Sequence, residues 1–206
     1  MTRSARAPST ADYLTYARVV SGLDGIDAQS TALVSSDVPE AISDSYRLFI
    51  NLLFCHKAVV TGAFTAGGFA LIRELLVAAR GSTEELKKHT LAMLTCCPTS
   101  PLRWTDEGSR NLIDCASNGI PVEIVPVPLT GFMAPVTLVG TLVQHTAEVL
   151  SGVVMAQLAS PGAAVVFGGS PAIFDVRFET TPMGAIETTM LTCAAAEIGR
   201  TLELPT

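Results

Sequence analysis

Five apolar, strand-like runs alternate with helical segments along almost the whole chain, and this alternation narrows the possible folds more than any other feature. The runs are "DAQSTALV" (27–34), "KAVVTG" (57–62), "TLAMLTCC" (90–97), "PVEIVPVPL" (121–129) and "AAVVFGG" (163–169). Between them lie segments with helical spacing, start signals and stop signals. "STADYLTYARVVSGLDG" (9–25) opens on Ser9 or Thr10 as N-cap, and "PEAISDSYRLFINLLFC" (39–55) has Pro39 at its first turn. "TAGGFALIRELLVAARGS" (65–82) stops at Gly81, and "DEGSRNLIDCASNG" (106–119) ends on Asn118-Gly119. A long apolar helix from Pro135 to Ser160 and a last one over 185–204 complete the series, with 170–184 read as a long loop. Strands separated by helices pair in parallel, because a parallel neighbour needs a crossover, and both faces of the sheet are then covered.

Two architectures satisfy that pattern, a doubly wound sheet and a (β/α)8 barrel. No G-x-G-x-x-G or P-loop follows any run, and the Gly168–Ser170 "GGS" leads into a loop rather than a helix, which counts against a nucleotide site. A full barrel takes about 250 residues. The expectation is therefore α/β, a partial (β/α)8 TIM barrel of about five parallel strands with outer helices, in a single domain over 1–206 with residues 1–8 disordered.

Composition sets the limits on partners. The chain is 49% hydrophobic and 16% charged, with formal net charge -6 and mean hydropathy +0.44. It carries enough apolar material for a sizeable core and more than one core needs, so a homo-oligomer is expected. Lys and Arg are scattered without a basic stripe, which excludes nucleic acid as the expected partner. The start "MTRSARAPST" lacks an apolar signal core, so the five cysteines read as reduced thiols in the cytoplasm. The 135–160 segment has the length of a membrane span, but Gln144, His145, Glu148 and Gln157 interrupt it, and a membrane is not expected.

The residues from Gly119 onward resemble the trimethylamine methyltransferase family, whose members include non-pyrrolysine glycine betaine methyltransferases. "APVTLVGTLV" (134–143), "AEVLSGVVMAQLASPGA" (147–163), Asp175 to Arg177 and "GAIE" (184–187) carry the resemblance, and the upstream part follows in the same order. The resemblance implies a (β/α)8 barrel that moves a methyl group from a methylated amine to the cobalt of a corrinoid (cobalamin) on a separate partner protein. The enzyme itself binds no metal directly. The chain then corresponds to a central fragment of such an enzyme, of the kind used in methanogenesis. Every position is one of the ordinary twenty residues, so a quaternary amine such as glycine betaine is a better fit than a pyrrolysine-dependent trimethylamine reaction.

A quaternary ammonium calls for aromatic faces and at most one carboxylate, and barrel sites lie at the C-terminal ends of the strands. Phe64, Trp104, Phe132, Phe174 and Phe178 all follow strand-like runs. With Gly131 and Gly168, the last four are the expected substrate-binding set, although each could equally pack a loop. Glu187 is the expected catalytic residue, orienting the amine or fastening the 170–184 loop; a plain helix N-terminal carboxylate accounts for it as well. Asp175 and Arg177 read as an ion pair or as side chains turned apart. Thr141, Gln144, His145, Glu148 and Ser151 make one polar stripe, read as the solvated or helix-facing side of an outer helix. The segment "GFMAPVTLVG" (131–140) is read as part of the mouth, with Pro135 starting the helix. Cys96-Cys97 ends the third run, where zinc-dependent betaine or thiol methyltransferases place ligands; that alternative lacks a third thiolate. Cys55, Cys115 and Cys193 read as core. A catalytically inactive, associating barrel fragment is the remaining reading.

Overall fold

The computed structural model describes residues 6–65 and 67–206. Of the residues 1–8 expected to be disordered, 1–5 lie outside the described residues. Arg6 pairs with Asp12 at 2.6 Å, and the Pro8 carbonyl accepts from Ser36 N at 2.8 Å.

In chain order the elements are α1 (Thr10–Ser21), β1 (Ala28–Ser30), a 3-10 turn (Glu40–Ile42), α2 (Ser43–Phe54), β2 (Ala58–Thr61), α3 (Gly68–Arg80), α4 (Thr83–Lys88), β3 (Ala92–Cys96), α5 (Asp106–Asn118), β4 (Val122–Ile124), β5 (Leu129–Thr130), α6 (Leu138–Ala159), β6 (Val165–Phe167), β7 (Ala172–Ile173) and α7 (Ile186–Thr201). The five long-range strands form one parallel sheet in the order β1-β2-β3-β4-β6. Sheet order follows chain order, as in a (β/α)8 barrel, and β1 and β6 remain its two edges, so the barrel is partial and open. The chain divides into two compact units, Met1–Leu94 and Thr95–Thr206.

In the first unit, α1 packs on α2 through Tyr13, Ala17 and Ile50, with Leu14, Leu33, Tyr46 and Phe54 around them. Its entry is fixed by Asp12, which accepts from the backbone N–H of Ser9 at 2.8 Å. Lys57 fastens the β1 approach by donating to the carbonyls of Leu23 and Ile26.

In the second unit, α5 is capped by Thr105, whose hydroxyl accepts from Gly108 N, and terminated by Gly119 in the left-handed region. Pro126 and Pro128 interrupt the fourth run, since proline cannot donate to a ladder. The run becomes two pieces, β4 and β5. Ser170 N donates to Pro126 O and Ala172 N to Pro128 O, so the β4–β6 pairing continues into a parallel β5–β7 pair beyond the C-terminal end of the sheet. The segment expected to be wholly loop, 170–184, thus begins as a strand. Helix α6 starts at Leu138, not Pro135: Thr137 is the N-cap and accepts from Gly140 N.

Helix α6 does not turn its stripe to solvent, the first of the two readings of it. Thr141, His145 and Glu148 are buried, whereas Val139, Val143, Val154 and Leu158 are exposed. Thr141, Gln144 and Glu148 turn inward to partners in the loops after β5 and β3, His145 packs against Phe167, and only Ser151 at the end of the stripe is exposed. By length and composition this is also the one helix among the described residues that could cross a membrane.

Candidate functional site at the C-terminal ends of the strands

Strand alternation puts Val122 and Ile124 in the core and Glu123 on the opposite face of β4. Thr95 Oγ1 donates to Glu123 Oε2 at 3.0 Å, and Oε1 has no hydrogen bond among the described residues. A methyl group at Gly168 would lie 2.8 Å from Glu123 Cγ, so the glycine is what lets that carboxylate lie over the end of β6. A cavity of about 340 Å³ opens beside it, lined by Glu123, Phe167, Gly168, Gly169, Thr192 and Arg200 among others. Arg200 turns to Glu197 at 3.4 Å. Glu123 is the functional candidate that sequence reasoning missed. The signal was present: a single carboxylate in the middle of an apolar strand.

Beyond it, the β5–β7 pair carries Phe132 and Phe174, whose rings stack with centroids 4.5 Å apart and planes at 23°. The tight turn that delivers Phe132 has the amides of Phe132, Met133 and Ala134 all donating to the Leu129 carbonyl at 3.0 Å. Gly131 opens this turn at φ +82°, a conformation that side chains rarely adopt. The Pro135 carbonyl accepts from Gly131 N and from Thr141 Oγ1, which also bonds the hydroxyl of Thr130. Small residues and proline stand here because the turn is tied to β5 and α6 through backbone groups and needs no polar side chains of its own.

The other expected residues separate. Phe178 is exposed, under Arg177 at 5.5 Å. Asp175 and Arg177 form no ion pair: Asp175 Oδ1 accepts the backbone amides of Arg177 and Phe178 and closes a local turn. Trp104 faces α6, its Nε1 donating to Ser151 Oγ at 3.0 Å. Glu187 is exposed in the first turn of α7. The tie between α7 and the 170–184 segment is made by its neighbour Thr188, which accepts from Ile173 N and donates to the Pro182 carbonyl.

Two buried groups on α6 shape this mouth from behind. Glu148 accepts from Ser100 Oγ, Leu102 N and Gln144 Nε2 at 2.8–2.9 Å and so fixes the loop after β3. His145 is fully buried against Phe167, and neither ring nitrogen has a hydrogen-bond partner among the described residues. Burial lowers its pKa to about 4, with the nearby Gly168 backbone acting weakly in the other direction. A Cβ at Gly169, which sits at φ +144°, would fall 1.8 Å from His145 Nε2. Imidazole and glycine loop therefore fill the same space.

The cysteines do not assemble. Cys96 is buried and hydrogen-bonded to Cys115, whose thiol is pushed up by that bond and by burial. Cys97 lies on the opposite side of the chain and is exposed; partial desolvation, then Cys96 and Glu123, push its thiol up, which disfavours the thiolate that metal binding needs. No group of three possible metal ligands occurs among the described residues. Cys193 is exposed on α7 rather than in the core, and Cys55 is buried just past the end of α2.

In the first unit, the ends of β1 and β2 carry a different arrangement. Asp44 Oδ2 accepts from Phe64 N, Thr65 N and Thr65 Oγ1 at 2.6–2.9 Å, and Oδ1 pairs with Arg47 at 2.5 Å. Arg47 lies 5.7 Å from the Phe64 ring centre. Of these residues only Phe64 was singled out by the sequence.

A family profile described as "Trimethylamine methyltransferase (MTTB)" matches residues 1–206. The chain belongs to the trimethylamine methyltransferase family. It is 29% identical over 204 residues to a trimethylamine methyltransferase of Desulfitobacterium hafniense, covering 99% of this chain and 41% of that protein. It is 41% identical over 125 residues to one from Methanosarcina barkeri, covering 61% of this chain and 25% of that protein. A proline betaine:corrinoid methyltransferase of Eubacterium limosum is 33% identical over 109 residues, or 53% of this chain and 22% of that protein. The chain thus spans between about a fifth and about two fifths of the length of these relatives.

Proposed function

We propose that the protein to which this chain contributes is a methyltransferase that moves a methyl group from a quaternary or otherwise methylated amine, of the glycine betaine or trimethylamine type, to the cobalt of a corrinoid on a partner protein in the cytoplasm. The observation that carries the reading is Glu123, a carboxylate with one oxygen unpaired among the described residues, on a cavity at the C-terminal end of the sheet, in a chain whose relatives carry methylamine and betaine methyltransferase names.

In such a transfer the N–CH3 bond breaks, its electron pair stays on nitrogen, and the amine departs neutral. No general acid is needed, so the protein's task is to hold and desolvate the cation. The corrinoid supplies the reduced cobalt that accepts the methyl group. Glu123 holds the ammonium by charge, Thr95 orients that carboxylate, and Gly168 leaves it room. The Phe132–Phe174 stack on the β5–β7 pair offers a ring face, an attraction of roughly 0.5–2 kcal/mol toward a cation. The exposed apolar rim of Phe132, Phe178, Met183 and Ile186 suits a flat macrocycle presented by a partner. In this reading Trp104 supports α6 and Glu187 stays at the entrance.

The test is methylation of cob(I)alamin by the complete protein over a panel of methylamines and betaines. Methyl-cobalt formation with a quaternary amine supports the reading, and none across the panel ends it.

A further inference from the structure

The cavity at the ends of β1 and β2 is built of parts that the proposed reaction does not use. It measures about 510 Å³ and is lined by Ser35, Glu40, Ser43, Asp44, Arg47 and Phe64 among others. Arg47 is 6% exposed and donates three hydrogen bonds: Nε to Ser43 O, Nη1 to Thr31 O and Nη2 to Asp44. A guanidinium has five N–H groups, so two remain unpaired among the described residues. Ser35, 4% exposed, lines the same cavity with a hydroxyl that has no partner among the described residues. Buried donors without acceptors are costly, and here they belong to one concave surface.

The charges narrow the occupant. Asp44 neutralises Arg47, and Glu40 leaves the lining with a net charge of about -1 by formal count. A simple anion would meet unpaired donors but the wrong overall field. A simple cation would meet Glu40 and the exposed ring of Phe64 but leave the donors unmet. A small zwitterion answers both, with its carboxylate on Arg47 and Ser35 and its ammonium toward Glu40 and Phe64.

The positions of the parts are locked. Gly68 has no side chain, and a Cβ there would lie 2.9 Å from Asp44 Oδ2. At Gly62 a Cβ would lie 2.5 Å from the Phe64 ring, so the ring occupies the space a side chain would take.

We infer that this cavity is a binding site for a small zwitterion, with Arg47 and Ser35 recognising its carboxylate. The chain is titrated by calorimetry and by NMR with glycine betaine and glycine as zwitterions, acetate as the carboxylate alone and choline as the cation alone. The zwitterions bind saturably and at least ~10-fold more tightly than either half, as expected when both charged ends are met. Ser35→Ala weakens them by roughly 5-fold while acetate and choline stay weak. Phe64→Leu weakens glycine betaine by a similar factor, on the order of one cation–π contact. Arg47→Lys keeps the charge and loses the fork, and its near-native melting is checked before its ligand affinity is read.

Equal affinity for choline and glycine betaine, no saturable binding of any zwitterion, or wild-type affinity in both Ser35→Ala and Phe64→Leu overturns the inference. The outcome is separable from that for the methyl transfer. Transfer intact with no zwitterion binding altered by these variants removes this site alone; zwitterion binding lost in them, with no methylation across the amine panel, removes the transfer alone.

Discussion

Two buried polar groups, Asp44 at the ends of β1 and β2 and His145 behind the ends of β4 and β6, are handled in opposite ways. Asp44 accepts four hydrogen bonds and pairs with an arginine. His145 has none among the described residues, and instead fills space against Phe167 and Gly169. A satisfied charge fixes a loop by bonds whose loss exposes an unpaired partner. An unsatisfied neutral ring fixes a loop only by shape, so its removal costs packing and no hydrogen bond.

The comparison can be broken at several points. The largest effect is expected from Asp44→Ala, which strands Arg47 in the core and releases the Phe64–Thr65 amides; about 3–5 kcal/mol should be lost in urea unfolding. A loss below about 1 kcal/mol would show that the pair is dispensable. Gly169→Ala comes next, at about 3 kcal/mol, from overpacking and a backbone conformation that alanine rarely adopts. Pairing it with His145→Ala should recover part of that loss, and strict additivity would deny the shared space.

The pH dependence sharpens the contrast. For His145 the folded pKa is about 4, below the unfolded value near 6.5, so the unfolded state binds more protons between those values. Stability should fall as pH drops from 6.5 toward 4, by on the order of 2–3 kcal/mol, and His145→Leu should flatten that slope. The carboxyl of Asp44 is held below the ordinary range, because hydrogen bonds from Phe64, Thr65 and Arg47 outweigh its desolvation. Its contribution is lost only at lower pH, so acid unfolding should show two windows, of which His145→Leu removes the upper. The smallest effect is expected from Phe132→Ala, under about 1 kcal/mol, since the ring is 63% exposed and loses mainly its stack on Phe174.

What could be read from the sequence divides along physical lines. The five parallel strands and the long helices were legible because periodicity and caps are local properties. Helix α4 was missed because Thr83–Lys88 is a single polar stretch with no apolar stripe, and β5 and β7 because two-residue strands leave no period. The orientation of α6 was left between solvent and a neighbouring element because its exposed face is as apolar as its buried one, so its pattern carries no direction. At the site, the stacked pair of Phe132 and Phe174 lay within a set of aromatics chosen by position, but nothing local distinguishes it from Trp104, which faces α6. Asp44 and Glu123 were passed over because Phe64 and Thr95, which bond them, are 20 and 28 residues away, and Arg47 because its outward bond goes to Thr31 on another element.

The account turns on Glu123, and one measurement tests it directly: initial rates of cob(I)alamin methylation by the complete protein, wild type and Glu123→Gln, as a function of quaternary amine concentration. A carboxylate that holds the substrate cation should give the variant a KM raised ~10-fold or more, with unchanged unfolding behaviour. Methylation with identical KM and kcat in the two proteins would contradict it and leave Glu123 as a partner of Thr95 alone.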